Sequence, residues 1–418
     1  MPWVYAGDVS PERRYQLQDD EANQQIDALL ERLRVPGDSW RLESELVTTA
    51  LKLFEDHATV GELKISNSAL KELRYGFKVF APYRGAPKVT VFGSARTPAD
   101  HGVSDQARRF GRRMVEAEWM VITGAGSGVM GAAQEGAGRE RSFGLNIRLP
   151  FEQDANPWIA DDPKLISFKY FFTRKLFLVR EAWAMAFFPG GFGTGDEVFE
   201  SLTLIQTGKA EIVPVVLIDA PGGHYWKKWI EFVKDQMLET GMISPDDMAL
   251  FRVSDSVEEA AEEIVRFYRV FHSYRFVGDN LAVRLRRELP AAMVSEISLR
   301  FSDILKGPAE QVLRALDAER GEFEELPRLI LPFNRSGFSR LRQLIDFVNT
   351  AAASGSGRSC VTWQFTHTHV RSGVGRLRSR RSVHGMKPMA PQRGQRSAFC
   401  PGCSSEGSQG VLKVMGGL

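Results

Sequence analysis

Residues 184–200 read AMAFFPGGFGTGDEVFE, which places an apolar run, a glycine-rich turn and the start of a helix one after another. The apolar residues 184–188 predict a short buried strand, which ends at the Pro189-Gly190-Gly191 turn. The residues from Thr194 to Gln206 predict a helix. A strand that leads through a glycine turn into a helix is typical of an α/β protein with a parallel sheet.

The same alternation extends on both sides of this run. The predicted strands are Val89–Phe92, Trp119–Thr123, Ser142–Ile147, Ala184–Phe188 and Val213–Ile218. The predicted helices are Ser104–Glu116, Val129–Ala137, Arg174–Ala182, Thr194–Gln206 and Trp226–Glu239. Alternation of this kind implies right-handed crossovers and a sheet covered on both faces. We therefore predict a Rossmann-like, doubly wound α/β domain over residues 86–254.

Three further segments flank this domain. Residues 1–85 predict helices, interrupted at Pro36-Gly37-Asp38. Residues 255–350 predict a small α+β appendage that includes a strand-like run at Arg275–Arg286 and a strand at Arg328–Pro332. Residues 351–418 are rich in Ala, Ser, Gly and Arg without apolar periodicity, so we predict a disordered basic tail.

Composition excludes several classes of protein. The 418 residues are 43% hydrophobic and 25% charged, which is ordinary for a globular protein. No run approaches the ~18 apolar residues of a membrane span, and the first residues lack a signal-peptide core, so we expect a cytoplasmic protein. The tail holds eight Arg, two Lys and one Glu, a net charge of +9, which leaves −7 for the other 350 residues. Nucleic-acid binding by the body of the protein is therefore not expected.

Cysteine usage limits metal and thiol chemistry. All three cysteines (Cys360, Cys400 and Cys403) lie in the tail, so the body has no disulfide framework, cysteine nucleophile or thiolate metal site. His367 and His369 are only two residues apart and precede the Cys400–Cys403 pair, which does not match the paired spacing of zinc sites. We predict no metal site.

Glycine turns follow three of the predicted strands. These turns are Gly93-Ser94-Ala95, Gly124–Gly131 and Pro189–Gly195. Glycine lets the backbone approach a ligand closely, and the helix that follows presents unpaired N–H groups at the same point. Three such turns at the carboxyl ends of one sheet predict an anionic, phosphate-bearing ligand.

The second turn also matches G-x-G-x-x-G at Gly126, Gly128 and Gly131. A dinucleotide site needs an acidic residue at the end of the next strand, but Gly144–Arg148 ends without a carboxylate. The sequence has no phosphate-binding G-x-x-x-x-G-K-[ST] loop either. A smaller phosphorylated ligand fits better, and no cofactor is expected.

The helix after the third turn carries the candidate chemistry. Thr194 is predicted to cap this helix and to offer its hydroxyl to phosphate. Glu197 and Glu200 are neighbours on the helix surface, so both carboxylates could face one site, with Thr203 at the side of that face. Acidic residues at a helix start are also favoured by the helix dipole without any function, so this alternative stays open.

These residues resemble a known family. Arg174-Lys175 and the run from Pro189 to Glu197 are similar to the R-K…P-G-G-x-G-T-x-x-E signature of the LONELY GUY (LOG) family, often labelled lysine decarboxylase. The turns with Gly93, Ser94, Gly126 and Met130 resemble the family's other nucleotide-contacting loops. The similarity covers about residues 86–240. Gly195 replaces a usual apolar residue, and Asp196 stands where Glu is common.

The resemblance implies hydrolysis of a nucleoside 5′-monophosphate, AMP-like or a cytokinin riboside 5′-monophosphate, to free base and ribose 5-phosphate. Glu197 would stabilise the ribosyl cation and activate water, and Arg174 would orient Glu197 and the substrate. The remaining implied substrate contacts are Lys175, Gly190, Gly191, Gly193, Thr194, Glu200 and Thr203. The resemblance further implies a homo-oligomer.

Two other functions compete with the hydrolase. The first is a non-catalytic nucleotide-binding or sensing protein, in which the turns bind phosphate and the acidic residues are structural. The second is a pyridoxal-phosphate decarboxylase, which needs a lysine for its Schiff base. Lys175 is the only lysine within these motifs, and nothing around it indicates a decarboxylase.

Overall fold

The computed structural model describes residues 15–33, 40–149, 154–319 and 321–351. The predicted helix break at Pro36-Gly37-Asp38 lies outside the described residues. So does the tail from residue 352 onward, with its cysteines and histidines. In the described chain, no helix combines the length and the apolar character that a bilayer span requires.

Seven parallel strands form the main sheet, which confirms the predicted α/β class. They are β1 (Lys88–Phe92), β2 (Met120–Thr123), β3 (Ser142–Ile147), β4 (Leu165–Phe168), β5 (Ala184–Phe187), β6 (Val215–Ile218) and β7 (Phe251–Ser254). Every residue of β1, β2, β5 and β6 is buried, as expected for apolar strands covered on both faces.

Six helices accompany this sheet. They are α4 (Gly102–Glu116), α5 (Val129–Ala137), α6 (Phe171–Arg180), α7 (Phe192–Gln206), α8 (Tyr225–Phe232) and α9 (Val257–Phe267). The helix α9 packs against α4 and β6, so it belongs to the layers of this sheet. Local capping explains some of the helix starts: the His101 ring accepts from the Val103 N–H at α4, and the Ser256 hydroxyl accepts from the Glu259 N–H at α9.

The strand order β4-β3-β2-β1-β5-β6-β7 reverses direction at β1. The chain builds outward from β1 through β2, β3 and β4, and then crosses back to place β5 on the other side of β1. The carboxyl ends of β2, β1 and β5 therefore lie side by side. In open α/β sheets, ligands bind in the crevice at this reversal.

Several boundaries differ from the sequence prediction. The strands β4 and β7 were not predicted, and α6 and α7 begin at Phe171 and Phe192 rather than at Arg174 and Thr194. The predicted helix Trp226–Glu239 is instead α8 followed by a π-helical segment, Val233–Leu238.

A second, antiparallel sheet has the order β10-β11-β9-β8. It consists of β8 (Phe271–Val277), β9 (Asn280–Leu285), β10 (Glu310–Val312) and β11 (Arg328–Leu331), accompanied by α10 (Ala291–Arg300) and α11 (Phe338–Val348). The prediction of one strand-like run at Arg275–Arg286 was wrong, because Gly278 adopts a positive φ of 58° and turns the chain into a β8–β9 hairpin. The buried apolar cores of the two sheets are continuous.

Three helices precede the main sheet: α1 (Asp20–Leu33), α2 (Trp40–Glu55) and α3 (Val60–Phe80). A capping box between Thr59 and Glu62 starts α3. The apolar side chains of α2 stay largely in solvent, with Leu46 61% and Phe54 66% exposed. By contrast, α3 packs against α6 and ends in the fully buried Phe80, so it joins these helices to the α/β core.

Candidate active site

The three glycine turns meet at the reversal of the main sheet. The Ser94 N–H, just after β1, donates to the Pro189 carbonyl just after β5 at 3.2 Å. The Ser94 carbonyl accepts from the Val129 N–H at the start of α5 at 3.0 Å. The turns that follow β2, β1 and β5 are therefore bonded together into one surface.

Glycines in these turns serve two purposes. Gly128 has a φ of 61°, and a Cβ there would lie 2.3 Å from the Ser94 carbonyl oxygen. A Cβ on Gly190 would lie 2.1 Å from the Thr194 hydroxyl, and one on Gly93 would lie 2.5 Å from Val129. These three glycines let the turns pack together. Cβ positions on Gly191 and Gly193 meet nothing within 4 Å, so their backbone faces open space.

The start of α7 offers unpaired backbone donors. Its first intrahelical hydrogen bond runs from the Gly195 N–H to the Gly191 carbonyl at 3.1 Å. The N–H groups of the three preceding residues thus have no acceptor within the helix. Together with the helix dipole, these donors form a site for an anion such as phosphate.

Thr194 does not cap α7, which corrects the sequence prediction. The helix begins two residues earlier, with Gly191 as its N-cap and no side-chain cap. Thr194 is buried in the first turn, with its hydroxyl against Gly190. The hydroxyl therefore lies within the open turn rather than at the helix boundary.

Arg174 reaches from α6 to the turn after β2. Its Nε donates to the Leu145 carbonyl of β3 at 2.7 Å, and Arg174 is only 9% exposed. A Cβ on Gly124 would lie 2.2 Å from its Nη2 atom, so Gly124 makes room for the guanidinium. Met130 lies against the same glycine and against Gly126. Burial lowers the pKa of Arg174, whereas the nearby Glu197 carboxylate raises it.

Glu197 is a half-buried carboxyl on α7 with a perturbed acidity. Burial raises its pKa to about 7, and the positive charges of Arg174 and Lys175 act in the opposite direction. Burial outweighs the two cations because an ionised carboxylate loses hydration in this position. A carboxyl group that titrates near neutral pH can accept a proton from water and release it again.

Lys175 pairs with two other carboxylates of α7. Its Nζ lies 2.5 Å from Asp196 Oδ2 and 2.8 Å from Glu200 Oε2. Burial alone would lower the pKa of Lys175, but the hydrogen bonds that it donates to Asp196 and Glu200 outweigh burial and raise the pKa. Lys175, Asp196 and Glu200 therefore form one cluster of ion pairs. Thr203, one turn further along α7, is exposed.

Two residues of the site were not singled out from the sequence. Asp196 was set aside as a helix-start acid, yet it holds Lys175. Gly124 was seen only as part of a turn, although its missing side chain admits Arg174. The glycines of this turn indicate that another group lies close to its backbone. That group is the side chain of Arg174, which comes from α6, fifty residues later in the chain.

A separate cavity of about 280 Å³ lies at the amino ends of the central strands. Lys88, Glu211 and Tyr268 are among its lining residues, and burial lowers the pKa of Lys88 to about 8. None of the predicted site residues lines it. The glycine turns lie at the opposite, carboxyl ends of the strands, so this cavity is distinct from the candidate active site.

The fold defines a Rossmann-like α/β protein whose three glycine turns meet at its sheet reversal. A model of the family described as "Possible lysine decarboxylase" matches residues 130–264, which include α6 and α7. The chain is 27% identical over 172 residues to the cytokinin riboside 5′-monophosphate phosphoribohydrolase of Mycobacterium tuberculosis, covering 40% of this chain and 87% of that protein. It is 23% identical over 183 residues to the Arabidopsis thaliana phosphoribohydrolase LOG7, covering 43% and 82%.

These matches support a relationship to the LOG family over the part of the chain that includes α6 and α7. Among solved structures, it is similar to a molybdenum cofactor carrier protein from Chlamydomonas reinhardtii, with 22% identity and a TM-score of 0.30 over 43% of this chain and 97% of that one. It is also similar to a molybdenum cofactor binding protein from Rippkaea orientalis, with 20% identity and a TM-score of 0.31 over 43% and 96%.

Proposed function

We propose that this protein hydrolyses the N-glycosidic bond of nucleoside 5′-monophosphates, releasing a free base and ribose 5-phosphate. The observation that carries the proposal is the position of Glu197 on α7, just after the open backbone of Gly191 and Gly193, together with burial that raises its pKa to about 7. The names of the curated relatives, cytokinin riboside 5′-monophosphate phosphoribohydrolases, support the same reaction class.

The substrate phosphate would bind at the start of α7. The open backbone of Gly191 and Gly193, the unpaired N–H groups and the Thr194 hydroxyl supply the donors. Gly93 and Ser94 form the adjoining wall, and Met130 with Gly126 lies on the side of the β2 turn. Binding energy from the phosphate would fix the ribose against Glu197.

In the chemical step, the bond from C1′ to the base nitrogen breaks, and its electron pair leaves with the base. The resulting ribosyl cation is stabilised by the ionised Glu197. A water molecule adds its oxygen to C1′ and gives its proton to Glu197, while the base takes a proton from solvent. Arg174, fixed by Leu145 and Gly124, would orient Glu197 and the substrate.

The direct test is to incubate the protein with AMP, GMP, CMP, UMP and a cytokinin riboside 5′-monophosphate. We expect chromatography to show free base and ribose 5-phosphate in equal amounts from at least one of them. The matching nucleosides serve as controls and should react far more slowly, because they lack the phosphate. Nucleotide binding without base release from any of the five would instead favour a nucleotide-binding or sensing protein.

The rate should depend on the ionisation of Glu197. Because Glu197 acts as a base and its pKa is raised to about 7, kcat/KM should fall about tenfold per pH unit below that value and level off above it. The measurement is kcat/KM between about pH 5 and 9, with Glu296→Gln, which alters an exposed carboxylate on α10, as a control that keeps the same profile. A flat profile across this range would contradict a role for Glu197 as the base.

We further propose that the protein acts as a homo-oligomer. Large aromatic side chains lie exposed next to the site: Phe171 and Phe172 are more than half exposed, and Phe192 is fully exposed on the turn itself. Exposed aromatic groups of this size are typical of interaction surfaces. Light scattering after gel filtration should give a multiple of the 46.8 kDa chain mass, and Phe192→Ser should shift it toward the monomer. A monomeric wild-type protein would refute the proposal.

A further inference from the structure

The carboxylate of Glu72, on helix α3, accepts two hydrogen bonds at the start of α6. Glu72 of α3 accepts a hydrogen bond from the Lys169 backbone N–H at 2.7 Å. Its second oxygen accepts from the Thr173 hydroxyl at 2.5 Å. The helix α6 has no side-chain cap from its own segment, where Tyr170 is the N-cap. Glu72 therefore supplies, from 97 residues earlier in the chain, the negative charge that a helix start favours.

A second contact, one turn further along both helices, fixes their approach. A Cβ on Gly76 would lie 2.3 Å from the Phe177 ring. Phe177 is fully buried, with its ring centroid 5.9 Å from that of Phe80 and 5.6 Å from that of Phe168. The ring has little room to move, so a side chain on Gly76 would push α3 away from α6. The two contacts together set the register between these helices.

The residue after Thr173 is Arg174, whose guanidinium must reach both Leu145 and Gly124. We propose that Glu72 is a positioning residue for Arg174. It holds the first turn of α6 so that the guanidinium stays in place at the sheet reversal. This inference rests on the proposed hydrolase function for its kinetic readout, and it makes the N-terminal helices part of the support of the active site.

The kinetic test uses the full chain with Glu72→Ala. Because misplacement of a catalytic group by about 1 Å can cost up to about 100-fold in rate, we expect kcat to fall roughly 10- to 100-fold. KM should change less than about twofold, since the phosphate-binding turns belong to β1, β5 and α7. Glu72→Gln keeps an acceptor for the Lys169 N–H and should restore most of the rate. Lys71→Ala, an exposed neighbour on α3, is the matched control and should behave as wild type.

A second readout does not depend on activity. Hydrogen–deuterium exchange of the peptide over residues 165–175 should be faster in Glu72→Ala than in the wild type or Lys71→Ala, because the Lys169 N–H loses its acceptor. If the wild type hydrolyses no nucleotide, the proposed function fails. The exchange measurement still tests whether Glu72 holds the start of α6. If Glu72→Ala does not fold, Thr173→Val removes only the hydroxyl and allows the same comparison.

The proposal predicts that faster exchange and a lower kcat occur together in Glu72→Ala, with the rate recovered in Glu72→Gln. Unchanged exchange would show that Glu72 does not hold α6. Faster exchange with an unchanged kcat would overturn the positioning of Arg174. An equal loss of rate in Lys71→Ala would also overturn it, because the effect would then be a general one of altering α3.

Discussion

Replacing Glu197 with Gln is expected to lower kcat about a thousandfold, while binding of nucleotide changes little. The amide keeps the size of the carboxyl group but cannot become negative or take a proton from water, and general-base groups contribute about 10²- to 10⁴-fold to rates. The measurement is single-turnover release of base, together with nucleotide affinity from calorimetry. Asp196→Asn, which loses a carboxylate one residue away, is the matched control and should retain far more activity.

Although Glu197→Gln is expected to lower kcat, it is expected to raise the stability of the folded protein. Glu197 has a folded pKa of about 7 against 4.5 for an ordinary glutamate, so the folded protein holds this proton more tightly than the unfolded chain. The stability linked to this proton is fully present below the unfolded pKa and is lost as the pH rises through the folded pKa. Glu197→Gln should therefore have a higher Tm than the wild type at pH values above about 7, and an equal one near the unfolded pKa.

Equal melting temperatures of the two proteins at all pH values would show that folding does not raise the pKa of Glu197. Wild-type kcat in Glu197→Gln would remove it from the mechanism. The two measurements are independent, because one follows the chemistry and the other follows only the protonation of the folded protein.

Gly124→Ala is expected to lower kcat by about 100-fold without unfolding the protein. The new methyl would lie 2.2 Å from Nη2 of Arg174, so the guanidinium would have to leave its position. Arg174→Lys should give a similar loss, because lysine cannot hydrogen-bond Leu145 through a side-chain Nε while also presenting a planar group at Gly124. Gly61→Ala, on α3 with only the Thr59 hydroxyl at 3.8 Å, controls for the substitution type.

A double variant, Gly124→Ala with Arg174→Lys, tests whether both losses of kcat arise from Arg174. If Gly124→Ala acts by displacing Arg174, the double variant should be little worse than either single one. If the loss of kcat in the double variant equals the product of the two single losses, Gly124 acts in another way, such as through the backbone of its turn. Unchanged activity in Gly124→Ala would show that Arg174 can carry out its role from a different position.

The sequence predicted the central strands well because most are buried apolar runs, and β1, β2 and β5 lead into glycine or proline turns. Strands β1, β2, β3, β5 and β6 all lie where the pattern predicted them, within one or two residues. The strands β4 (LISF) and β7 (FRVS) were missed because each lies at an edge of the sheet, is only partly buried and includes polar residues, so neither forms an apolar run. The β8–β9 hairpin was read as one strand because its two-residue turn, Gly278-Asp279, is short and lies between apolar runs.

The candidate site was predictable as a set of turns and charges but not as a geometry. The spacing of Arg174-Lys175 and Glu197 in the chain indicated that they belong together. Two features depend on side-chain packing between α6, α7 and β3: which carboxylates pair with Lys175, and which backbone carbonyl accepts from Arg174. The start of α6 was misplaced for the same reason: Glu72, which holds it, lies in a different part of the chain.

The position of β1 at the centre of the main sheet has a consequence for how the protein is made. Val89 pairs with Val121 of β2 on one side and with Ala184 of β5, ninety-five residues later, on the other. During synthesis, β1 through β4 leave the ribosome with one edge of β1 unpaired, and only β5 covers it. The proposed phosphate-binding turn follows β5 directly, so the same late pairing that protects the growing chain from aggregation would also complete the proposed ligand site.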